Sequence, residues 1–177
     1  TASMTQAPLR RGFFVTGTDT GVGKTRIAVA LIGGLVASGR RVVGMKPVAS
    51  GCGLRAGRLV NDDALALIAA SNVEAPYEEV NPYAFAPAIA PQIAARQAGI
   101  GIDRALIRAS YQRLAARGDC VVIEGAGGWL VPVTSDATMA DIARDCGLPV
   151  VLVIGLRLGC INHALLTLAE ARRRKLP

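Results

Sequence analysis

Several things are scarce in this chain. Aromatic residues make up 4% of the 177 residues and there is one histidine, His163. A nucleic-acid surface that stacks bases needs aromatics among its cations, and the basic run Arg172-Arg173-Arg174-Lys175 has none beside it. That run reads as a solvated helix C-terminus, where cations suit the helix dipole. No nucleic-acid partner is therefore expected. A serine or cysteine hydrolase would have only His163 as its imidazole base, which disfavours that class. The four cysteines, Cys52, Cys120, Cys146 and Cys160, show no CxxC spacing. A zinc site is disfavoured, and free buried thiols in a reducing cytoplasm are expected. The longest apolar stretch, Ile27 to Ala37, is about half a membrane span, so no membrane partner is expected. Acids number 13 against 20 lysines and arginines, a net charge of +7 that suits a binder of polyphosphates and carboxylates.

Hydrophobic residues are abundant, at 51%. Without a membrane span they read as strands buried on both faces, as in parallel sheets. The length allows one sizeable domain. Short apolar runs alternate with longer helical ones. Strands are expected at Gly12 to Thr16, Arg41 to Lys46, Asn81 to Phe85, Cys120 to Glu124 and Pro149 to Ile154. Helices are expected over Lys24 to Ser38, Asp62 to Ser71, Pro91 to Gln97, Asp103 to Arg117, Thr138 to Cys146 and Ile161 to Lys175. Ser50 to Gly57 reads as a glycine-rich loop. The pattern predicts an α/β fold, a mainly parallel sheet with helices on both faces. Thr1-Ala2-Ser3-Met4 reads as an expression remnant before a start at Met4, and residues 1–10 as tag or flexible.

Gly17-Thr18-Asp19-Thr20-Gly21-Val22-Gly23-Lys24-Thr25 leaves one strand and opens a helix. Glycines let successive N–H groups converge on phosphate oxygens, and the helix N-terminus adds its positive dipole end. Lys24 would reach the β and γ phosphates, and the Thr25 hydroxyl would ligate Mg²⁺. Five residues separate Gly17 from Gly23, one more than usual. The context makes this a phosphate loop, which by itself identifies no reaction.

Lys46 ends the second strand, on the edge where open parallel sheets bind ligands. It reads as a second cation facing a γ phosphate, against the plainer reading of a surface lysine. Glu124 ends a buried strand before Gly125-Ala126-Gly127-Gly128. An acid there suits Mg²⁺, or caps a loop. Asn61-Asp62-Asp63 offers both a helix cap and a metal ligand, and the residues alone leave these open. Leu158 to His163 opens the last helix, whose free N–H groups suit a carboxylate, or are those of an ordinary capped helix. Cys160 there reads as buried rather than nucleophilic.

Taken together, the phosphate loop, Lys46-Pro47-Val48-Ala49-Ser50-Gly51, Asn61 to Leu67, Val80-Asn81-Pro82-Tyr83, Glu124 to Trp129 and Leu158 to His163 resemble the dethiobiotin synthase family, in that family's order. The resemblance covers about residues 12 to 170. It implies a cytoplasmic, ATP- and Mg²⁺-dependent cyclo-ligase of biotin biosynthesis. Its substrates would be ATP, CO2 or bicarbonate, and 7,8-diaminononanoate. It also implies site roles. Lys24 and Lys46 would be catalytic. Gly21, Val22, Gly23, Lys24, Thr25 and Glu124 would bind ATP. Thr25, Asp63 and Glu124 would hold Mg²⁺, which favours Asp63 over Asp62. Thr20, Ser50 and Gly127 would bind the substrate. Gly159, Cys160 and Asn162 would receive its carboxylate across a homodimer interface. The family continues past Pro177 by roughly one further βαβ portion carrying a base-reading Asn, within the usual size of such units. The chain is thus expected to be one phosphate-loop domain over 1–177 that lacks the family's C-terminal part. Gly21 stands where some members carry Glu. Rival readings are a partitioning-type switch ATPase, which would carry a second lysine where this loop has Thr18-Asp19-Thr20, and an inactive nucleotide-binding relative. A cobyrinate amidase-type ligase would need a glutaminase domain for which there is no room.

Overall fold

The computed structural model describes residues 12–175. The expectations for residues 1–10 lie outside the described residues. The elements are β1 (Gly12–Gly17), α1 (Lys24–Ala37), β2 (Val42–Met45), β3 (Val48–Ser50), β4 (Gly53–Arg55), β5 (Arg58–Val60), α2 (Asp62–Ala70), α3 (Tyr77–Val80), β6 (Tyr83–Phe85), α4 (Pro91–Gln97), α5 (Arg104–Arg117), β7 (Cys120–Gly128), α6 (Met139–Cys146), β8 (Val150–Val153) and α7 (Cys160–Arg173).

Four strands make a parallel sheet in the order β2-β7-β1-β8. The period-2 alternation of its strands splits the core in two. Phe14, Val43, Met45, Val121 and Ile123 face α5 and α6 in one apolar cluster. Val15, Val42, Val122 and Val153 face α1 and α2 in the other. Both faces are covered, as continuous apolar strands require. The expected α/β architecture is the observed one.

The glycine-rich segment differs from the expected loop. β3 pairs in parallel with β6, and β4 pairs with β5 as a small antiparallel hairpin. Its two turn residues, Ala56 and Gly57, both have positive φ, at 49° and 77°. That geometry matches the natural twist of a hairpin. The hairpin is exposed, with Leu54 72% accessible. Its strands therefore bear no apolar alternation to announce them. α3 is a single turn and was too short to read from periodicity. β7 runs on to Gly128, past the expected end at Glu124, because Gly128 still pairs with Gly17 of β1.

α6 carries a capping box. The Thr138 N–H and hydroxyl both donate to the Asp141 carboxylate, at 2.9 Å each. The other oxygen of Asp141 accepts from Arg174 at 2.8 Å, which ties the C-terminal end of α7 to α6. No residue of α7 is buried. Among the described residues, no helix is long and apolar enough to cross a membrane.

Candidate active site

The site forms at the C-terminal edge of the sheet. β1 leads into the phosphate loop, and α1 starts at Lys24 with Gly23 as its N-cap at φ 96°. Left-handed backbone there favours glycine. No side chain caps this helix end, so its first N–H groups stay available to an anion. Lys24 is 6% exposed, and its Nζ donates to the Asp19 carbonyl at 2.8 Å. Burial, and next the nearby Lys46 ammonium, push Lys24 below the ordinary lysine range.

Sheet register explains the centre. Met45 of β2 lies beside Ile123 of β7, so the next residues, Lys46 and Glu124, meet on the face toward α1 and α2. Lys46 Nζ donates to Glu124 Oε1 at 2.8 Å and to Asp63 Oδ2 at 2.9 Å. The Thr25 hydroxyl of α1 donates to the same Glu124 oxygen at 2.9 Å. Glu124 is 1% and Lys46 4% exposed. Burial acts to raise the Asp63 pKa. The charge and hydrogen bond of Lys46, with help from Thr25 and Lys24, outweigh it and hold that carboxyl below its usual range.

Asn61, Asp62 and Asp63 separate by direction. The Asn61 side chain accepts from Ala64 N–H at 3.1 Å and caps α2. Asp62 points out to Arg55 of the hairpin, at 2.7 Å. Asp63 turns in to Lys46. One helical step rotates a side chain by about 100°, which separates two adjacent acids.

Thr25, Asp63 and Glu124 present hard oxygen donors. Glu124 Oε2 is buried and has no hydrogen-bond partner. That orphaned oxygen beside a hydroxyl and a second carboxylate fits Mg²⁺, which takes one or two carboxylates and completes its shell with water and phosphate.

A cleft of about 740 Å³ opens over this cluster. Of the residues singled out in the sequence, Thr20, Gly21, Gly23, Lys24, Thr25, Lys46, Ser50, Asp63, Glu124 and Gly127 line it. Ser50 Oγ is buried without a partner. Val22 does not line the cleft. It packs against the apolar cluster on the α1 side of the sheet, and a Cβ on Gly155 would lie 2.8 Å from its Cγ1. Gly159, Cys160 and Asn162 stand at the start of α7, outside the cleft of their own chain.

Residues 88–91 form a wall of the cleft that went unread in the sequence. The wall is fixed by backbone. Gly51 N–H donates to Pro87 C=O and Cys52 N–H to Phe85 C=O, both at 3.0 Å. The Ala-Pro-Ala-Ile-Ala-Pro composition carries no polar signal that marks a site. Asn61 also lines the cleft, its capping role being all the sequence suggested. The described cysteines are all free thiols, and Cys52, Cys120 and Cys146 are buried as expected, but Cys160, expected to be buried, is only partly so because α7 buries none of its residues. Burial, with the charge of Asp145 next, pushes Cys146 up to about 12.

Comparison with known proteins fits this geometry. Residues 11–177 match the model of a family described as an AAA domain. An ATP-dependent dethiobiotin synthetase of Nitrosospira multiformis is 50% identical over 167 residues, 94% of this chain and 72% of that protein. One of Pseudomonas paraeruginosa is 52% identical over 160 residues, 90% of this chain and 70% of that protein. One of Aromatoleum aromaticum is 47% identical over 166 residues, 94% of this chain and 74% of that protein.

Proposed function

Since the chain belongs to the ATP-dependent dethiobiotin synthetase family, we propose that its cleft closes the ureido ring of dethiobiotin from 7,8-diaminononanoate, CO2 and ATP. The observation that carries the reading is the pair of buried lysines, Lys24 and Lys46, facing one cleft with Asp63 and Glu124 between α1, α2 and the sheet. Two cations at fixed positions suit a reaction whose transition state spreads negative charge over a phosphoryl group.

One amine of the substrate takes up CO2 and loses a proton, giving a carbamate. A carbamate oxygen attacks the γ phosphorus and the bond to ADP breaks. The second amine attacks the carbonyl carbon of the resulting carbamic–phosphoric anhydride and loses a proton, the bond to phosphate breaks and inorganic phosphate leaves, and the ring closes. Lys24 and the loop N–H groups of Gly21, Val22 and Gly23 hold the phosphates. Lys46 sits where it can neutralise the carbamate and the transferring group. Thr20, Ser50 and Gly127 face the reacting end, and the unpartnered Ser50 hydroxyl is free to donate. Thr25, Asp63 and Glu124 would hold Mg²⁺, which would supply charge neutralisation at the phosphates.

Gly159, Cys160 and Asn162 lie outside their own cleft, so the carboxylate reading needs a second subunit. The exposed apolar residues around them support a homodimer. Leu156 is 92%, Leu158 105% and Ile161 74% accessible. Large apolar side chains exposed close together along the chain in this way are what an interaction face carries. The described residues behave as one phosphate-loop domain, and cytoplasmic operation agrees with four free thiols.

Phosphate release tests the reading. Protein, Mg²⁺ and ATP should release phosphate only when both diamine and bicarbonate are added. Release without the diamine would instead indicate a switch ATPase, and bound ATP without release an inactive relative.

A further inference from the structure

Three contacts join the phosphate loop to the end of β8 and the segment that follows it, and none belongs to the reaction as described. The Thr18 N–H donates to the Val153 carbonyl at 3.0 Å. Val22 rests against Gly155, where a Cβ would come within 2.8 Å of Cγ1. The Asp19 carboxylate pairs with the Arg157 guanidinium.

Asp19 is the unexpected part. Its carboxylate accepts from the Thr20 N–H at 2.7 Å, and its own carbonyl holds Lys24 Nζ at 2.8 Å. A negative side chain thus sits inside a loop built for a polyanion, one residue from Thr20 on the cleft. The Thr20 hydrogen bond first, and the Arg157 hydrogen bond second, hold Asp19 below the usual carboxylate range. It is therefore ionised at neutral pH, and it opposes bound phosphates through Coulomb repulsion. His163 adds a smaller attraction at the same carboxylate. Arg157 is the full positive charge paired with it.

We infer that Arg157 is a positioning residue for nucleotide binding: it masks the Asp19 charge and clamps the phosphate loop against the segment that leads into α7. The inference rests on the ATP-binding part of the function proposed above. It makes a residue 138 positions from Asp19 a determinant of nucleotide affinity without touching the nucleotide. The pair is partly exposed, with side-chain accessibilities of 58% for Arg157 and 44% for Asp19. Its effect is accordingly modest and salt-dependent.

The test is equilibrium binding of ATP at low ionic strength to the whole chain, without diamine. Arg157→Gln should weaken ATP by about fivefold, the upper range for an exposed charge pair. Arg157→Lys should keep most of the affinity. The sharp outcome is the double variant: Asp19→Asn in the Arg157→Gln background should bring affinity back to within about twofold of the wild type. The Arg157→Gln defect should also shrink in about 1 M salt. Melting temperatures report whether the variants stay folded, as a surface pair predicts. Wild-type affinity in Arg157→Gln overturns the inference. So does a double variant no tighter than Arg157→Gln, because Arg157 would then act without masking Asp19. A wild type that binds ATP yet releases no phosphate with diamine and bicarbonate counts against the ligase reading and leaves this one standing.

Discussion

Lys46 and Lys24 are both buried lysines, yet their partners set them to opposite tasks. Lys46 bridges two carboxylates, and Lys24 holds only a backbone carbonyl. Lys46→Ala removes the cation from a nearly inaccessible Glu124. It should lose roughly 3 kcal/mol of stability, read from the urea midpoint. It should also lower turnover by about 10²-fold or more, while ATP affinity falls far less. Equal loss of turnover and ATP affinity would remove the role assigned to Lys46. Lys24 carries a desolvation cost. Its folded pKa lies below that of the unfolded chain, so the native state binds this proton more weakly. The related stability is present only above the unfolded value of about 10.4 and is lost as pH falls through the folded pKa, so at neutral pH the charge is a net cost. Lys24→Met should therefore raise stability by about 1 kcal/mol and abolish ATP binding. A less stable Lys24→Met would mean that the bond to Asp19 outweighs the burial. Residue type leaves Asp62 and Asp63 equivalent; the family resemblance favoured Asp63, and its direction around α2 toward Lys46 agrees. Asp63→Asn should weaken Mg²⁺ binding measured by calorimetry, whereas Asp62→Asn should leave it unchanged.

At the scale of elements, α7 is tied to the rest by Ala171 against the apolar cluster and by the pairing of Arg174 with Asp141. Burial raises that carboxyl, but the Thr138 backbone and hydroxyl bonds and the Arg174 guanidinium outweigh it, and the pKa lies below its usual value. A carboxyl lowered on folding contributes stability above its unfolded pKa of about 3.9 and loses it as pH falls through the folded value. Asp141→Asn should cost about 1 kcal/mol at pH 7, with the difference from wild type closing below about pH 4. A gap that persists in acid would assign the effect to packing. Most elements were legible because the buried strands are mainly apolar and several helices are bounded by a capping residue, such as Asn61, Asp103 or Thr138, or by Gly39. The hairpin of β4 and β5 was not. Apart from Val60 at the end of β5, its residues are largely exposed, and what makes it a hairpin is two left-handed turn residues, one of them an alanine. Its arginines serve local pairs, Arg55 with Asp62 and Arg58 with Glu78 and the Tyr77 ring.

For the whole molecule, the exposed apolar start of α7 and the position of Asn162 away from its own cleft bear on the same reading, assembly of two copies. Leu158→Glu should yield monomers in light scattering and raise the KM for the diamine more than that for ATP. A variant that stays dimeric, or monomers with unchanged diamine KM, would detach the carboxylate subsite from the dimer. The amino-acid sequence by itself determined the phosphate loop, the alternation that makes a parallel sheet, and the presence of Lys46 and Glu124 at strand ends. These are local patterns, set by period and by residue chemistry within a few positions. Tertiary structure alone decided that Met45 and Ile123 share a register and so place Lys46 on Glu124, and that Arg157 reaches Asp19. Those pairings join residues from separate elements. Strand order and helix packing govern them, and no periodicity along the chain carries that information.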